Sequence, residues 1–217
     1  MRFVVTAGPT REAIDPVRFI SNRSSGKMGY AIAEAAVAAG HEVKLISGPV
    51  SIARPAGLQF ISITTSDELD QEVHRAIGQC DVLVMCAAVA DYKPAKIEPR
   101  KMKKRKTSFA LELIPTRDIL ASLPKANRKF LVIGFAAETH DLKMNARRKL
   151  RKKNCDFIVA NDVSKTDFGM ESDTNAVTIF LPSGESKKIS RTSKKIIARE
   201  LVKIISKMSE KRLTKKA

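Results

Sequence analysis

Short apolar runs closed by glycine or small polar residues alternate along this chain with stretches of helical spacing. Phe3-Val4-Val5-Thr6-Ala7, ended by Gly8-Pro9, reads as a buried strand. Residues 29–39 are rich in alanine and stop at Gly40, the pattern of a helix with a C-terminal glycine. Residues 42–47 and 58–63 predict two further strands, and Ser66-Asp67-Glu68-Leu69 opens a helix with an N-cap and an acidic first turn. Residues 81–87 are almost continuously apolar, as a central parallel strand should be. A poorly periodic basic stretch, 94–113, separates this strand from a short helix at 118–123 and a strand at 130–135. A basic helix over 141–153 precedes a strand at 156–161. Residues 176–181 and 187–190 flank Pro182-Ser183-Gly184 as a hairpin, and an amphipathic helix covers 193–207. Strands alternating with helices predict a Rossmann-like, doubly wound, mostly parallel α/β sheet with a C-terminal antiparallel addition. Residues 1–208 are expected to form one domain.

Composition narrows the class. The chain has 217 residues, 43% of them hydrophobic, but only 5% aromatic and no Trp, so Val, Ile, Leu and Ala must build the core. No apolar run approaches the roughly 20 residues that span a bilayer. The N-terminus enters a strand directly and is not read as a signal peptide. Cys80, Cys86 and Cys155 are an odd set without Cys-x-x-Cys spacing, which points to a reduced, cytoplasmic protein. The net charge of +17 fits an anionic substrate, a nucleic acid or a membrane surface. The basic residues concentrate in 93–106, 143–153 and from 187 onward, and 209–217 reads as a frayed, solvated tail.

Three motifs lie where a strand has ended or a helix begins, the edge at which open α/β sheets bind ligands. The turn Gly8-Pro9-Thr10 lacks the Gly-x-Gly-x-x-Gly fingerprint and does not lead straight into a helix, which argues against an NAD(P)-dependent oxidoreductase. The helix starts instead at Ser24-Ser25-Gly26-Lys27-Met28-Gly29, where hydroxyls, N–H groups and an ammonium can converge on a phosphate. The same residues also suit an ordinary N-cap. Asn22 can hold an Asx turn or donate to an oxyanion, a contact worth roughly 3 kcal/mol. A nucleic-acid-binding module rests on charge alone, for the chain lacks interleaved aromatics and a reading helix. His41, His74 and His140 have no partners at the spacing of a metal site or a triad. Cys86, at the end of the central strand, reads as a small core residue.

The ordered set Gly8-Pro9-Thr10-Arg11-Glu12, Ile14-Asp15-Pro16-Val17-Arg18, Ile20-Ser21-Asn22, Ser24-Ser25-Gly26-Lys27-Met28-Gly29, Ala87-Ala88-Val89-Ala90-Asp91-Tyr92, Lys101-Met102-Lys103-Lys104, Gly134-Phe135-Ala136-Ala137-Glu138-Thr139 and Ala160-Asn161-Asp162-Val163 resembles the phosphopantothenate–cysteine ligases over nearly the whole chain. That resemblance implies a ligase of coenzyme A biosynthesis. It joins 4′-phosphopantothenate to L-cysteine through an acyl-cytidylate, releasing pyrophosphate and then CMP. Bacterial members use CTP and eukaryotic ones favour ATP. Because the chain begins at the ligase domain, it is expected to stand alone, with decarboxylation left to a separate phosphopantothenoylcysteine decarboxylase.

By matched position, the resemblance implies catalytic roles for Asn22, in transfer from the acyl-cytidylate, and for Lys101, in its formation. It implies a nucleotide site made of Ser24, Gly26, Lys27, Ala87, Ala88, Asp91, Lys101, Thr116, Arg117, Asp118, Ile119, Phe135, Lys149 and Lys153. The aromatic face of Phe135 would lie beside the base, although ordinary packing at a strand end suits it as well. Mg²⁺ is expected with the triphosphate, and Asp91 is either its first candidate ligand or a holder of the nucleoside. Arg117 stands where the family has proline in Thr116-Arg117-Asp118-Ile119, a change expected to loosen that turn. The resemblance further implies a homodimer, with 96–106 acting as a mobile flap over the nucleotide. It implies no flavin, NAD, specific nucleic acid or membrane.

Overall fold

The computed structural model describes residues 1–104, 106–164 and 171–214; Arg105 of the basic stretch and 215–217 of the tail lie outside them. The elements run β1 (Arg2–Ala7), β2 (Arg11–Ala13), β3 (Phe19–Ser21), α1 (Lys27–Ala38), β4 (Glu42–Ser47), β5 (Gln59–Ser62), α2 (Ser66–Ala76), β6 (Val82–Met85), β7 (Tyr92–Pro94), β8 (Leu113–Pro115), α3 (Ile119–Ser122), β9 (Leu131–Glu138), α4 (Leu142–Lys152), β10 (Phe157–Asp162), β11 (Thr174–Phe180), β12 (Ser186–Ser193) and α5 (Lys194–Thr214). Eight strands form one sheet in the order β12-β11-β10-β9-β6-β1-β4-β5. β5 through β10 in that order pair in parallel, and β11 and β12 add antiparallel. This is the doubly wound fold that the sequence predicts.

Strand alternation sends side chains to opposite faces. Phe3, Val5, Val82, Val84, Leu131, Ile133, Phe157 and Val159 point to one face, which α1 and α5 cover with Ile32, Ala33, Ala36, Ile197, Leu201 and Ile205. Val4, Leu83, Val132 and Ile158 point to the other, under Leu69 and Val73 of α2, Ile119 of α3 and Ala146 and Leu150 of α4. Each fully buried Leu, Ile, Val or Phe contributes roughly 1.5–3 kcal/mol of transfer free energy.

Three local differences from the sequence reading have clear causes. The N-cap of α2 is Thr65, not Ser66, because the Thr-x-x-Glu spacing closes a capping box. The Thr65 hydroxyl accepts the Glu68 N–H, and Glu68 accepts the Thr65 N–H. Ser66 is the first helical residue and gives its N–H to the buried Glu12 carboxylate at 2.9 Å.

α5 extends through Thr214, beyond the helix end at 207 that the sequence suggests, with Leu201, Ile205 and Met208 along its packed face. Arg212 then fastens the last turns by donating to the Phe130 carbonyl at 3.2 Å and to the Arg128 carbonyl, with Asp156 Oδ1 at 3.6 Å.

The basic stretch contains structure at both ends. β7 and β8 pair as an antiparallel ribbon, and Ala95 N–H donates to Glu112 O at 3.0 Å. β2 and β3 form a second such ribbon.

Candidate active site

β4 lies on one side of β1 and β6 on the other, so the carboxyl ends of β1 and β6 flank the point where the strand order reverses. A doubly wound sheet opens a crevice at that point. Here the two loops beyond the strands are stitched together. Thr6 Oγ1 accepts the N–H groups of Cys86 and Ala87, each at 3.1 Å. Ala88 N–H donates to Gly8 O at 2.9 Å, Thr10 N–H to Ala88 O at 3.2 Å, and Ala90 N–H to Thr10 Oγ1 at 3.0 Å. Asn22 does not close an Asx turn in the contacts it makes. It spans the gap, its amide donating to Ala88 O at 3.1 Å and Val89 O at 3.0 Å.

The start of α1 faces this crevice. Its N-cap is Gly26, at φ 76°, and among the described residues no side-chain cap closes the helix start. Open N–H groups at a helix start, backed by the dipole, attract phosphate. Gly29 lets the helix sit against β1: a Cβ there would lie 2.6 Å from Ala7 Cβ and 3.0 Å from Thr6 O.

A cavity of about 550 Å³ occupies the crevice. Asn22 and every residue assigned above to the nucleotide, except Lys101, line it. On the side of α3 and α4, the turn 116–119 is held residue by residue. Thr116 donates its N–H to Asp91 O at 2.9 Å and its hydroxyl to Ala90 O at 2.6 Å. Arg117 pairs with Asp70 at 2.9 Å. Asp118 caps α3 through Ala121 N–H at 3.1 Å and pairs with Lys153. Ile119 is buried in the core. The turn is therefore tethered rather than loosened by Arg117. Lys149, on α4, and Lys153, at its C-cap, both line the cavity; Lys149 lies 3.4 Å from Glu138. Burial pulls the Lys153 ammonium below its ordinary pKa, with the nearby Asp91 charge opposing the shift.

On the side of α1 and α5, Lys27 bonds Asp173 at 2.6 Å and Glu171 O at 3.1 Å. Beside it stands Lys194, only 5% exposed, whose pKa burial and the Lys27 charge push down to about 8 against the pull of Cys86 and Asp173. Sequence reasoning missed Lys194 and its neighbour in the wall, Asn175. One sits in a run of lysines and the other in a plain strand, so neither carried a local signal. Asn161 was within reach, being part of the quoted Ala160-Asn161-Asp162-Val163 motif. Phe135 both lines the cavity and packs on the core. Cys86 also reaches the cavity wall, and burial pushes its thiol up to about 12, so it is not a ready nucleophile.

Lys101 is exposed on the basic stretch outside the cavity wall. Its neighbour Met102 is anchored: Asp15 Oδ2 accepts the Met102 N–H at 3.1 Å, and the Arg18 guanidinium donates to Met102 O at 3.3 Å. Among the described residues no three His, Cys, Asp or Glu groups gather as a metal cage. Asp91 and Asp118 both line the cavity, and Asp118 pairs with Lys153. No helix of the described residues is long and apolar enough to cross a membrane.

Comparison with known proteins agrees with this geometry. The bifunctional coenzyme A biosynthesis protein CoaBC of Bacillus subtilis (strain 168) is 46% identical over 208 residues, covering 95% of this chain and 51% of that protein. Its counterpart in Escherichia coli (strain K12) is 41% identical over 217 residues, covering 97% and 53%. The chain thus spans about half the length of the curated relatives it matches. The crystal structure of the C-terminal domain of a CoaBC protein superposes with a TM-score of 0.83 at 41% identity, covering 97% of this chain and 96% of that one. Residues 1–208 match a single family across the sheet, both ribbons and the cavity, and the chain belongs to that family, the DNA/pantothenate metabolism flavoprotein C-terminal domain.

Proposed function

We propose that this chain is a cytoplasmic phosphopantothenate–cysteine ligase that uses CTP, with Mg²⁺ entering on the triphosphate. The observation that carries the reading is one cavity, at the strand-order reversal, in which an uncapped helix start, a tethered turn and several ammonium groups surround space for a nucleotide. The similarity to proteins named for coenzyme A biosynthesis supports the substrate class.

In this reading the N–H groups at the start of α1, from Lys27 on, with the Ser24 hydroxyl and the Lys27 ammonium, bind the phosphates. Phe135, Ala87 and Ala88 form the wall for the base, and the turn 116–119 with Lys149 and Lys153 holds the nucleoside. The pantothenate carboxylate attacks the α-phosphate; pyrophosphate departs as the carboxyl–phosphorus anhydride forms. Lys101, on its anchored arm beside Asp15 and Arg18, offsets the charge on that leaving group. Asp91 would hold the metal ion, whose chemistry is to neutralise phosphate charge. The cysteine amine then attacks the acyl carbon and CMP leaves. Both amide hydrogens of Asn22 are spent on Ala88 O and Val89 O, so Asn22 serves the second tetrahedral state by exchanging one of them for the developing oxyanion. Neither flavin nor NAD takes part.

Exposed apolar side chains on the two ribbons and their approaches, among them Val17, Phe19, Tyr92 and Leu113, support a homodimer. A decarboxylase would consume the product.

The test is pyrophosphate release from CTP in the presence of 4′-phosphopantothenate and cysteine, with ATP, GTP and UTP compared. Release that needs both co-substrates and is fastest with CTP supports the reading. No release with any nucleotide overturns it, and preference for ATP overturns the CTP assignment.

A further inference from the structure

Asp70, on the inner side of α2, is 8% exposed and does not line the cavity. Its Oδ2 receives the Arg117 guanidinium at 2.9 Å. His74 Nδ1 bonds to the Asp70 backbone carbonyl at 2.8 Å and so carries the hydrogen, which leaves Asp70 Oδ1, 3.1 Å from the same nitrogen, without a hydrogen bond among the described residues. The opposite ring nitrogen, Nε2, is 3.3 Å from Ser122 Oγ, whose one hydrogen Ile119 O, at 2.8 Å, competes for. The direct link from α2 to the cavity-lining turn is therefore the Asp70–Arg117 pair.

The rest of that segment is fixed by the cavity's own walls: Thr116 by the loop 90–91, Asp118 by Lys153. Arg117 differs, because its anchor comes from behind the wall. Its side chain is 61% exposed, and a guanidinium so placed samples many rotamers unless something holds it. A buried carboxylate on a helix is a rigid acceptor for it. The held cation then stands at the cavity wall instead of sweeping through the cavity.

We propose that Asp70 is a positioning residue for nucleotide binding, acting through Arg117 in the turn that presents Asp118 and Ile119. The assignment rests on the ligase reading above. It touches neither substrate nor reacting atoms.

The experiment titrates CTP calorimetrically into the full chain and its Asp70→Asn, Arg117→Met and Asp70→Asn/Arg117→Met variants, and measures KM for CTP, cysteine and 4′-phosphopantothenate. Each single change should weaken CTP by about tenfold, short of the roughly hundredfold that a 1 Å error costs at reacting atoms. The double variant should be no weaker than either single one, and KM for cysteine should hold steady. Arg117→Met, altering a largely exposed side chain, keeps the test valid should Asp70→Asn unfold. Additive losses, equal changes in all three KM values, or unchanged CTP affinity would overturn the positioning role. If the unaltered chain itself binds no nucleotide, the ligase reading falls and takes this one with it; if it binds and the variants match it, only the positioning role falls.

Discussion

The Met102 N–H donates to the Asp15 carboxylate at 3.1 Å across 87 residues of sequence, and so roots the basic stretch one residue from Lys101. The same carboxylate takes the N–H groups of Val17 and Arg18 at 2.8 Å and the Arg18 guanidinium at 2.8 Å.

Asp15→Asn should free this root. Trypsin should then cut within 100–106 faster than in the unaltered chain, and acyl-cytidylate formation should drop by about tenfold to a hundredfold. Burial pushes the Asp15 carboxyl up, but its backbone donors and Arg18 outweigh that and hold it below the ordinary value of 3.8. A depressed folded value means that the stabilisation is complete above that ordinary value and is lost as pH falls through the folded one. Acid unfolding of the variant should therefore be shallower in that range. Equal proteolysis rates would rule the root out.

Lys194 titrates near 8 in the folded chain against 10.5 for an ordinary lysine. Below pH 8 the ammonium is charged in both states, and its burial costs stability in the folded one. Between about 8 and 10.5 the unfolded chain binds more protons, so stability climbs with pH. Lys194→Met should be more stable at pH 7, by a difference on the order of 3 kcal/mol that vanishes towards pH 10.5, and it should bind CTP more weakly. Urea melts at pH 7 and 10 with parallel CTP titrations check both halves.

Asn22→Asp replaces a donor by a carboxylate next to two carbonyl oxygens. Pyrophosphate release should survive while transfer to cysteine falls by about a hundredfold, the scale of roughly 3 kcal/mol from one lost donor at an oxyanion. Trapping the acyl-cytidylate without cysteine, then adding it, separates the two steps; full activity in both would refute the role.

Gly29→Ala drives a methyl into Ala7 and Thr6 O, so α1 must lift from β1. Overpacking of this kind costs about 1–3 kcal/mol. A thermal melt that matches the unaltered chain would show that α1 yields without strain.

The long apolar runs were legible because a buried parallel strand needs little beyond them: 81–87 reads as β6 and 156–161 as β10 with only their ends moved. The ribbons were not. Tyr92-Lys93-Pro94 and Leu113-Ile114-Pro115 are three residues each and largely exposed, so their pairing comes from the chain closing on itself rather than from local preference. The reach of α5 past 208 was hidden for a related reason: Arg212 finds its partners, the carbonyls of Phe130 and Arg128, far away in sequence. In the site, motifs with unusual spellings exposed the loops after β1, β6 and β9. Lys194 and Asp70 stayed hidden because each draws its meaning from a partner in another element, Lys27 in one case and Arg117 in the other.

The rim strand β12 has its own consequence for the living chain. An unsheltered rim offers bare amide and carbonyl groups on which a stranger's strand can zip, the first step toward fibres. Lys187 and Lys188 stand outward there, so two such rims repel one another before any zipper can close. The surplus of positive charge that a polyanion-binding protein carries near its crevice thus doubles, at the far border, as insurance against aggregation.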